Sequence, residues 1–351
     1  MIVSKTQILR ISPNPTAEDE EKLAFAADII RRGGLVVFPT ETVYGLGANA
    51  LDENAARSIY AAKGRPQNNP LIIHLADKND IDTYCKTAGV AGIEPLKALM
   101  PAPLTVILPA KPVIPSVITA GLPNVAVRIP RFAAARRLIE LAGVPIAAPS
   151  ANLSGKPSPT CARHVIEDMD GRADVILDGG DCEVGVESTI ITLCEECPTL
   201  LRPGGVTYET LCSLLGEVHL SRAVLESLRP GDTVLSPGMM YKHYAPDRPV
   251  ELIKGEREQG IRYVNARAAE KPCAVLCFDE DAPRLHCKAV LSAGSEADSA
   301  AYAARLFSLL RDTNALDIEY VYAFLPKDTD GISLAVYNRL LRAAGFRVTS
   351  F

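Results

Sequence analysis

The sequence predicts a mixed α/β protein with one large sheet, followed by a smaller second α/β domain. Short apolar runs of buried-strand type alternate with helically spaced segments along most of the chain. A proline- and glycine-rich stretch from Arg229 to Pro249, without any period, interrupts that alternation once. The 351 residues, 48 % of them apolar, suffice for about two domains with a buried core in each.

The elements follow in order. Thr16 caps a helix over Glu18 to Arg32, in which Leu23, Ala26, Ala27 and Ile30 keep helical spacing, and Gly33-Gly34 stop it. Leu35 to Phe38 reads as a buried strand. A helix from Glu53 to Lys63 ends at Gly64, and Leu71 to Leu75 is the next strand. Further strands are expected at Leu104 to Leu108, Val125 to Ile129, Val144 to Ala148, Val175 to Leu177 and Thr189 to Leu193, with helices at Ala133 to Leu141 and Cys161 to Met169. Beyond the linker, strands at Val250 to Ile253, Ala274 to Phe278 and Tyr320 to Leu325 alternate with helices at Ala297 to Asp312 and Ile332 to Ala344.

Charge and composition exclude several classes. There are 37 basic and 42 acidic residues, a net charge of −5, and neither side of Pro230 is basic, so general attraction to phosphate backbones is not expected. No apolar run is long enough to cross a membrane and no secretory leader is read at the start. Nine scattered cysteines read as reduced thiols. Cys194 and Cys197 have the spacing of a zinc pair, but no second pair follows, so a Glu-Glu turn between two strands is the preferred reading. A cytoplasmic enzyme or small-molecule binder is expected.

Three polar loops leave the apolar strands, where ligands gather in open α/β sheets. Thr40-Glu41-Thr42-Val43-Tyr44-Gly45-Leu46-Gly47 offers hydroxyls, a carboxylate and close backbone approach, or is simply a wide turn. Lys63-Gly64-Arg65-Pro66 places two cations at a solvent-facing helix end, to converge on a polyphosphate or merely to answer the helix dipole. Ser150-Ala151-Asn152 opens a hydroxyl-rich loop running to Thr160. Arg128 ends an apolar strand, where a buried cation requires an anionic partner. Ser188 follows Glu187, Arg202 precedes Pro203-Gly204-Gly205, and Tyr241, His243 and Tyr244 stand in the linker.

In this order the motifs resemble the threonylcarbamoyl-AMP synthases. Thr40 to Gly47, Lys63-Gly64-Arg65-Pro66 with Asn69-Pro70-Leu71, and Ser150-Ala151-Asn152 match that family's signatures, and Ser236-Pro237-Gly238-Met239 with Tyr241 to Pro246 matches its long, two-domain form. The resemblance implies a YrdC-like twisted mixed sheet around a deep, electropositive cavity (residues 1–229), a linker or lid (230–249) and a Rossmann-like small α/β domain (250–351). It implies a nucleotidyltransferase reaction, in which L-threonine, bicarbonate or CO2, and ATP give threonylcarbamoyl-AMP and diphosphate for tRNA modification beside the anticodon. Lys63 and Arg65 would be catalytic. They would hold ATP together with Asn69, Asn124, Ser150, Asn152, Ser158, Arg202 and Tyr241. Thr42, His74, Arg128, Ala148 (through its backbone) and Ser188 would hold L-threonine. Mg2+ would accompany ATP, with no dedicated protein cage. A downstream threonylcarbamoyl transferase complex would take the product, with direct tRNA binding weak or absent and no membrane involved.

Three positions depart from the family pattern: Ala102 where glycine is common, Asn124 where threonine is common, and Met240 in place of a basic residue. Two other readings remain. An RNA-binding module is disfavoured by the negative charge. A carbamoyl-transfer maturation enzyme would need further regions for which the chain has no room.

Overall fold

The computed structural model describes residues 5–226 and 244–351. The first helix, α1 (Ala17–Arg31), begins where expected. The Thr16 side chain accepts from the Asp19 amide while the Asp19 carboxylate accepts from the Thr16 amide. That closed box holds the Asp19 carboxyl down at about 2, chiefly through the Thr16 backbone.

Among the described residues the first sheet has eleven strands. They are β1 (Gln7–Arg10), β2 (Val36–Phe38), β3 (Gly45–Asn49), β4 (Ile72–His74), β5 (Leu104–Pro109), β6 (Asn124–Arg128), β7 (Ile146–Ala147), β8 (Val175–Asp178), β9 (Thr189–Thr192), β10 (Thr199–Arg202) and β11 (His219–Leu220). Their order across the sheet is β1-β8-β2-β3-β7-β4-β6-β5-β9-β10-β11, mixed parallel and antiparallel. The connecting helices are α2 (Glu53–Lys63), α3 (Ile81–Tyr84), α4 (Ile93–Leu99), α5 (Ser116–Thr119), α6 (Ala133–Ala142), α7 (Ala162–Met169) and α8 (Tyr208–Leu215).

The registers decide which face becomes a site. Ile72 lies opposite Ala126 and His74 opposite Arg128, while Thr105, Ile107 and Pro109 lie opposite Arg128, Ala126 and Asn124. Thr105 and Ile107 in turn face Ile190 and Thr192. With a side-chain period of two, these residues share one face, and Ile73, Val106, Val125, Val127 and Ile191 share the other. The second set belongs to the largest hydrophobic core, packed under helices. On the first face only a small separate cluster forms, from Ile72, Ile107, Ala126, Ile190 and Leu201. That face is the floor available to a ligand.

The second domain contains β12 (Val250–Lys254), α9 (Arg257–Glu270), β13 (Cys273–Cys277), β14 (Ala289–Ser292), α10 (Ser299–Asp312), β15 (Tyr320–Phe324), α11 (Ser333–Ala343) and β16 (Val348–Ser350). Its five described strands run parallel in the order β14-β13-β15-β12-β16, which demands crossover connections and gives the Rossmann-like layering that was expected. The two domains interlock. Val43 and Val186 from the first pack in the core of the second, and Leu334 of α11 packs in the core of the first.

The expected strands and helices are all present, within a few residues at their ends. Sequence reading missed β3 inside the Thr40 to Gly47 loop. Gly47 is needed there because a Cβ would stand 2.8 Å from the Phe38 ring and 2.7 Å from Ile146. It also missed α9, in which only Gly260, Ile261 and Val264 are buried, too thin an apolar stripe to read.

Candidate active site

A cavity opens over the sheet face just described. Its walls come from the 40–45 turn, the end of α2, the 148–156 loop, Glu187 and Ser188, Arg202 and Tyr244. Lys63, Arg65, His74, Arg128, Ala148, Ser150, Asn152, Ser188 and Arg202, nine residues expected at the site, line it.

The two cations at the end of α2 are placed differently from the sequence expectation. Gly64 takes a left-handed conformation (φ +63°) that turns the chain so that both side chains face inward. Lys63 is buried (2 % exposed), not solvent-facing. Its ammonium donates to the carbonyls of Ser150 and Asn152 and, at 3.4 Å, to Asn152 Oδ1. Burial, then the neighbouring Arg65, push its pKa well below the usual lysine range. Arg65 is half-buried and donates to the carbonyls of Asn69 (3.4 Å) and Pro70 (3.2 Å). Burial lowers Arg65 to about 10.

Arg128 finds the anionic partner its position requires. Its Nη2 donates to Glu41 Oε1 at 2.6 Å, both side chains buried, and to Thr40 Oγ1 at 3.4 Å. Arg202 donates through Nε to the Ser188 carbonyl (3.0 Å) and through Nη2 to Ser188 Oγ (3.2 Å), and Ser188 Oγ also meets Thr105 Oγ1 at 2.8 Å. Beside this pair the backbone of Gly204 runs so close that a Cβ would sit 2.4 Å from the Thr189 nitrogen. Burial lowers Arg202 to about 10. Together with Lys156, these four basic side chains put five around one small space.

Four buried side-chain polar atoms lack a hydrogen-bond partner among the described residues, and three are in expected site residues: Asn69 Oδ1, His74 Nδ1 and Arg128 Nε. Such atoms are rare in folded chains and cost free energy unless a ligand or water meets them. His74 and Arg128 are register partners on adjacent strands, so their orphaned nitrogens belong to one corner. Burial, then Arg128, hold His74 down at about 3, so its ring is neutral at physiological pH.

Other expected residues fall elsewhere. Thr42 lies one hydrogen bond behind the wall, its Oγ1 2.9 Å from that of Thr40, which does line the cavity. Ser158 is buried behind Glu187, to whose Oε1 it donates at 2.5 Å. Asn124 is not in this cavity; it opens on a neighbouring depression with Leu71, Ile107, Ala126 and Thr192, at the far end of the same sheet face. Tyr241, Met240 and most of the expected lid lie outside the described residues. Ala102 is buried in the core. Cys194 and Cys197 sit on the turn between β9 and β10, as read.

Sequence reasoning left Glu187 out of the site and gave Tyr244 to the linker or lid rather than to the binding residues. Glu187 lines the cavity and is bound by Arg339 Nε from α11 at 2.7 Å. Burial pushes its carboxyl up, but Arg339 and Arg202 outweigh that and hold it below the ordinary value. Tyr244, in the left-handed region (φ +65°), lines the cavity, stacks on Phe307 at 5.2 Å and lies under the Arg339 guanidinium at 5.7 Å. The signals were there: an acid beside Ser188, and an aromatic in the linker.

The buried histidines also predict a pH dependence. His74 is lowered to about 3 and His164, by burial and then Arg311 and Arg163, to about 4. The unfolded chain therefore binds more protons than the folded one below the ordinary histidine pKa of about 6.5, so stability falls as pH drops from there toward 4. Urea denaturation at pH 7 and pH 5 should show this decline, and His164→Gln should flatten part of it. An unchanged slope in that variant would assign the effect to other groups.

A two-domain α/β architecture whose larger sheet carries a cation-ringed cavity defines the class: an anion-binding α/β fold with a parallel-sheet partner domain clamped to it. Comparison narrows it. A family model described as telomere recombination (Sua5_yciO_yrdC) matches residues 28–204, and one described as threonylcarbamoyl-AMP synthase, C-terminal domain, matches residues 206–345. Threonylcarbamoyl-AMP synthase of Pyrococcus abyssi is 44 % identical over 94 % of this chain and 96 % of its own, and that of Bacillus subtilis is 41 % identical over 94 % and 95 %. The crystal structure of P. abyssi Sua5 complexed with L-threonine superposes with a TM-score of 0.91 at 42 % identity, covering 99 % of this chain and 100 % of that one. The chain belongs to the threonylcarbamoyl-AMP synthase family.

Proposed function

We propose that this chain condenses L-threonine, bicarbonate or CO2, and ATP into threonylcarbamoyl-AMP and diphosphate, in the cytoplasm, supplying the threonylcarbamoyl group that a downstream transferase complex places on tRNA. The observation that carries this reading is the corner where, among the described residues, Arg128 Nε and His74 Nδ1 are buried and unpartnered. A cation with one arm fixed by Glu41 and one donor free suits a carboxylate, and a neutral imidazole nitrogen beside it suits the amine or hydroxyl of an amino acid. Thr40, Thr42, Ser188 and the Ala148 backbone complete that end.

From this corner the sheet floor runs to Asn124, four residues along β6 and so about 13 Å away. Between them lies the apolar strip of Ile72, Ala126 and Ile107, a dry surface for a base. The amide of Asn124 would meet the adenosine end and Lys63, Arg65 and Arg202 the phosphates, with Ser150 and Asn152 in the wall and Asn69 and Ser158 supporting from behind. Threonine's amine takes up CO2 and loses a proton to give a carbamate. A carbamate oxygen then bonds to the α-phosphorus while the bond to the bridging oxygen breaks and diphosphate leaves. Charge neutralisation and alignment supply the acceleration. Mg2+ would ride on the phosphates and water, because Glu187 and Glu41 are already tied to arginines. Nine free thiols fit a reducing compartment.

Diphosphate release that requires both bicarbonate and L-threonine tests the reading; release with ATP alone would overturn it. Within it, Arg128→Ala should weaken threonine binding by about 2–5 kcal/mol, since the substrate carboxylate loses its cation and faces the buried Glu41 charge instead, and ATP binding much less. Calorimetry showing equal loss for both ligands would remove Arg128 from the threonine end.

A further inference from the structure

The turn between β9 and β10 carries two thiols that the cavity leaves unused. They part company: Cys194 donates to the Ile107 carbonyl and Cys197 to the Glu217 carbonyl, both at 3.5 Å. Cys197 is thereby held beside β11, the last strand of the sheet. Strand pairing fixes the neighbourhood. Thr199 lies opposite His219, and the His219 amide donates to the Pro198 carbonyl at 2.8 Å. As a result Cys197 Sγ, a Glu217 carboxylate oxygen and a His219 ring nitrogen all lie within 4.8 Å of one another, with His219 Nε2 3.3 Å from Glu217 Oε1.

We propose that Cys197, Glu217 and His219 form a binding site for a borderline transition-metal ion, Zn2+ first, with water in the fourth position. The donor set argues for this class. A thiolate and an imidazole select zinc-like ions over Mg2+ or Ca2+, which take oxygen ligands. Donors around tetrahedral zinc stand about 3.5 Å apart. Glu217 and His219 are exposed and free to close that difference by rotamer change, while the backbone stays pinned in β10 and β11. Binding replaces the Cys197 S–H bond by a metal–sulfur bond and releases the proton to buffer. The ion would staple the 193–198 turn to an edge strand otherwise joined by a two-residue ladder.

The test is titration of the reduced, full-length chain with Co2+ alone, then Zn2+. One equivalent of Co2+ should bind with a sulfur-to-metal charge-transfer band and tetrahedral d–d bands, and Zn2+ should abolish both. Cys197→Ser should remove the charge-transfer band, His219→Gln should weaken binding by more than about tenfold, and Cys194→Ser should change neither. Circular dichroism reports whether each variant is folded, and His219→Gln carries the test alone if Cys197→Ser is not. No stoichiometric binding, a pale octahedral spectrum, or a thiolate band that survives Cys197→Ser (placing the metal on another thiol such as the neighbouring Cys273 and Cys287) would overturn the proposal.

Discussion

Arg65→Ala lowers the rate of diphosphate release by about 10²–10³-fold, the loss typical of removing one group that stabilises transition-state charge, and leaves the unfolding midpoint nearly unchanged. The guanidinium is half-buried and, among the described residues, donates to the carbonyls of Asn69 and Pro70, so the fold loses little with it. Lys63→Ala behaves differently. It removes a comparable share of activity, but it also strips the donor from the Ser150 and Asn152 carbonyls. Leaving such acceptors buried and unsatisfied costs about 1–3 kcal/mol. Paired measurements of initial rate and urea denaturation separate the two cations. Near-normal turnover in Arg65→Ala would reduce the turn after α2 to a helix end, and equal stability in both variants would mean that Lys63 is no staple.

That contrast marks what the sequence could and could not tell. Order and spacing of motifs brought nine expected residues to one cavity, because each motif lies in or directly after a strand or helix whose apolar pattern is unmistakable. Burial was legible for Arg128, which ends an apolar strand, but not for Lys63. Lys63 reads as the last, solvated residue of an amphipathic helix, and only the folded 150–152 loop, distant in sequence, shows that it is covered. Glu41 as the partner of Arg128 was equally hidden, since 87 residues separate them. The role of α11 could not be read at all. A mainly apolar helix with two arginines three residues apart looks like one that turns its charges to solvent, yet Arg339 is fully buried against another domain.

Arg339→Ala is therefore expected to destabilise the whole protein by about 3–5 kcal/mol, the usual cost of leaving one buried charge without its partner. The stranded group would be Glu187, whose Oε1 accepts from Ser158 and whose Oε2 accepts from Arg339. Arg339 also binds Asn338 Oδ1 at 2.8 Å and lies over the Tyr244 ring. The second domain thus fixes two pieces of the cavity wall through one guanidinium, as a positioning residue rather than a catalytic one. A second tie works beside it: Arg311 of α10 donates to Asp168 Oδ2 at 2.5 Å and to the Pro157 carbonyl at 2.7 Å. Because Glu187 has a lowered pKa when folded, its contribution is present above the unfolded carboxylate value and is lost as pH falls through the folded one. Removing both partners should cost less than the two single losses combined, since Arg339→Ala/Glu187→Gln leaves no unpaired charge. Denaturant titration of the single and double variants measures that coupling. Independent, additive losses would show that α11 merely covers the cavity wall. A positive coupling, with the KM for ATP raised in Arg339→Ala and restored in part by Arg339→Lys, makes the second domain the brace on which the site is built.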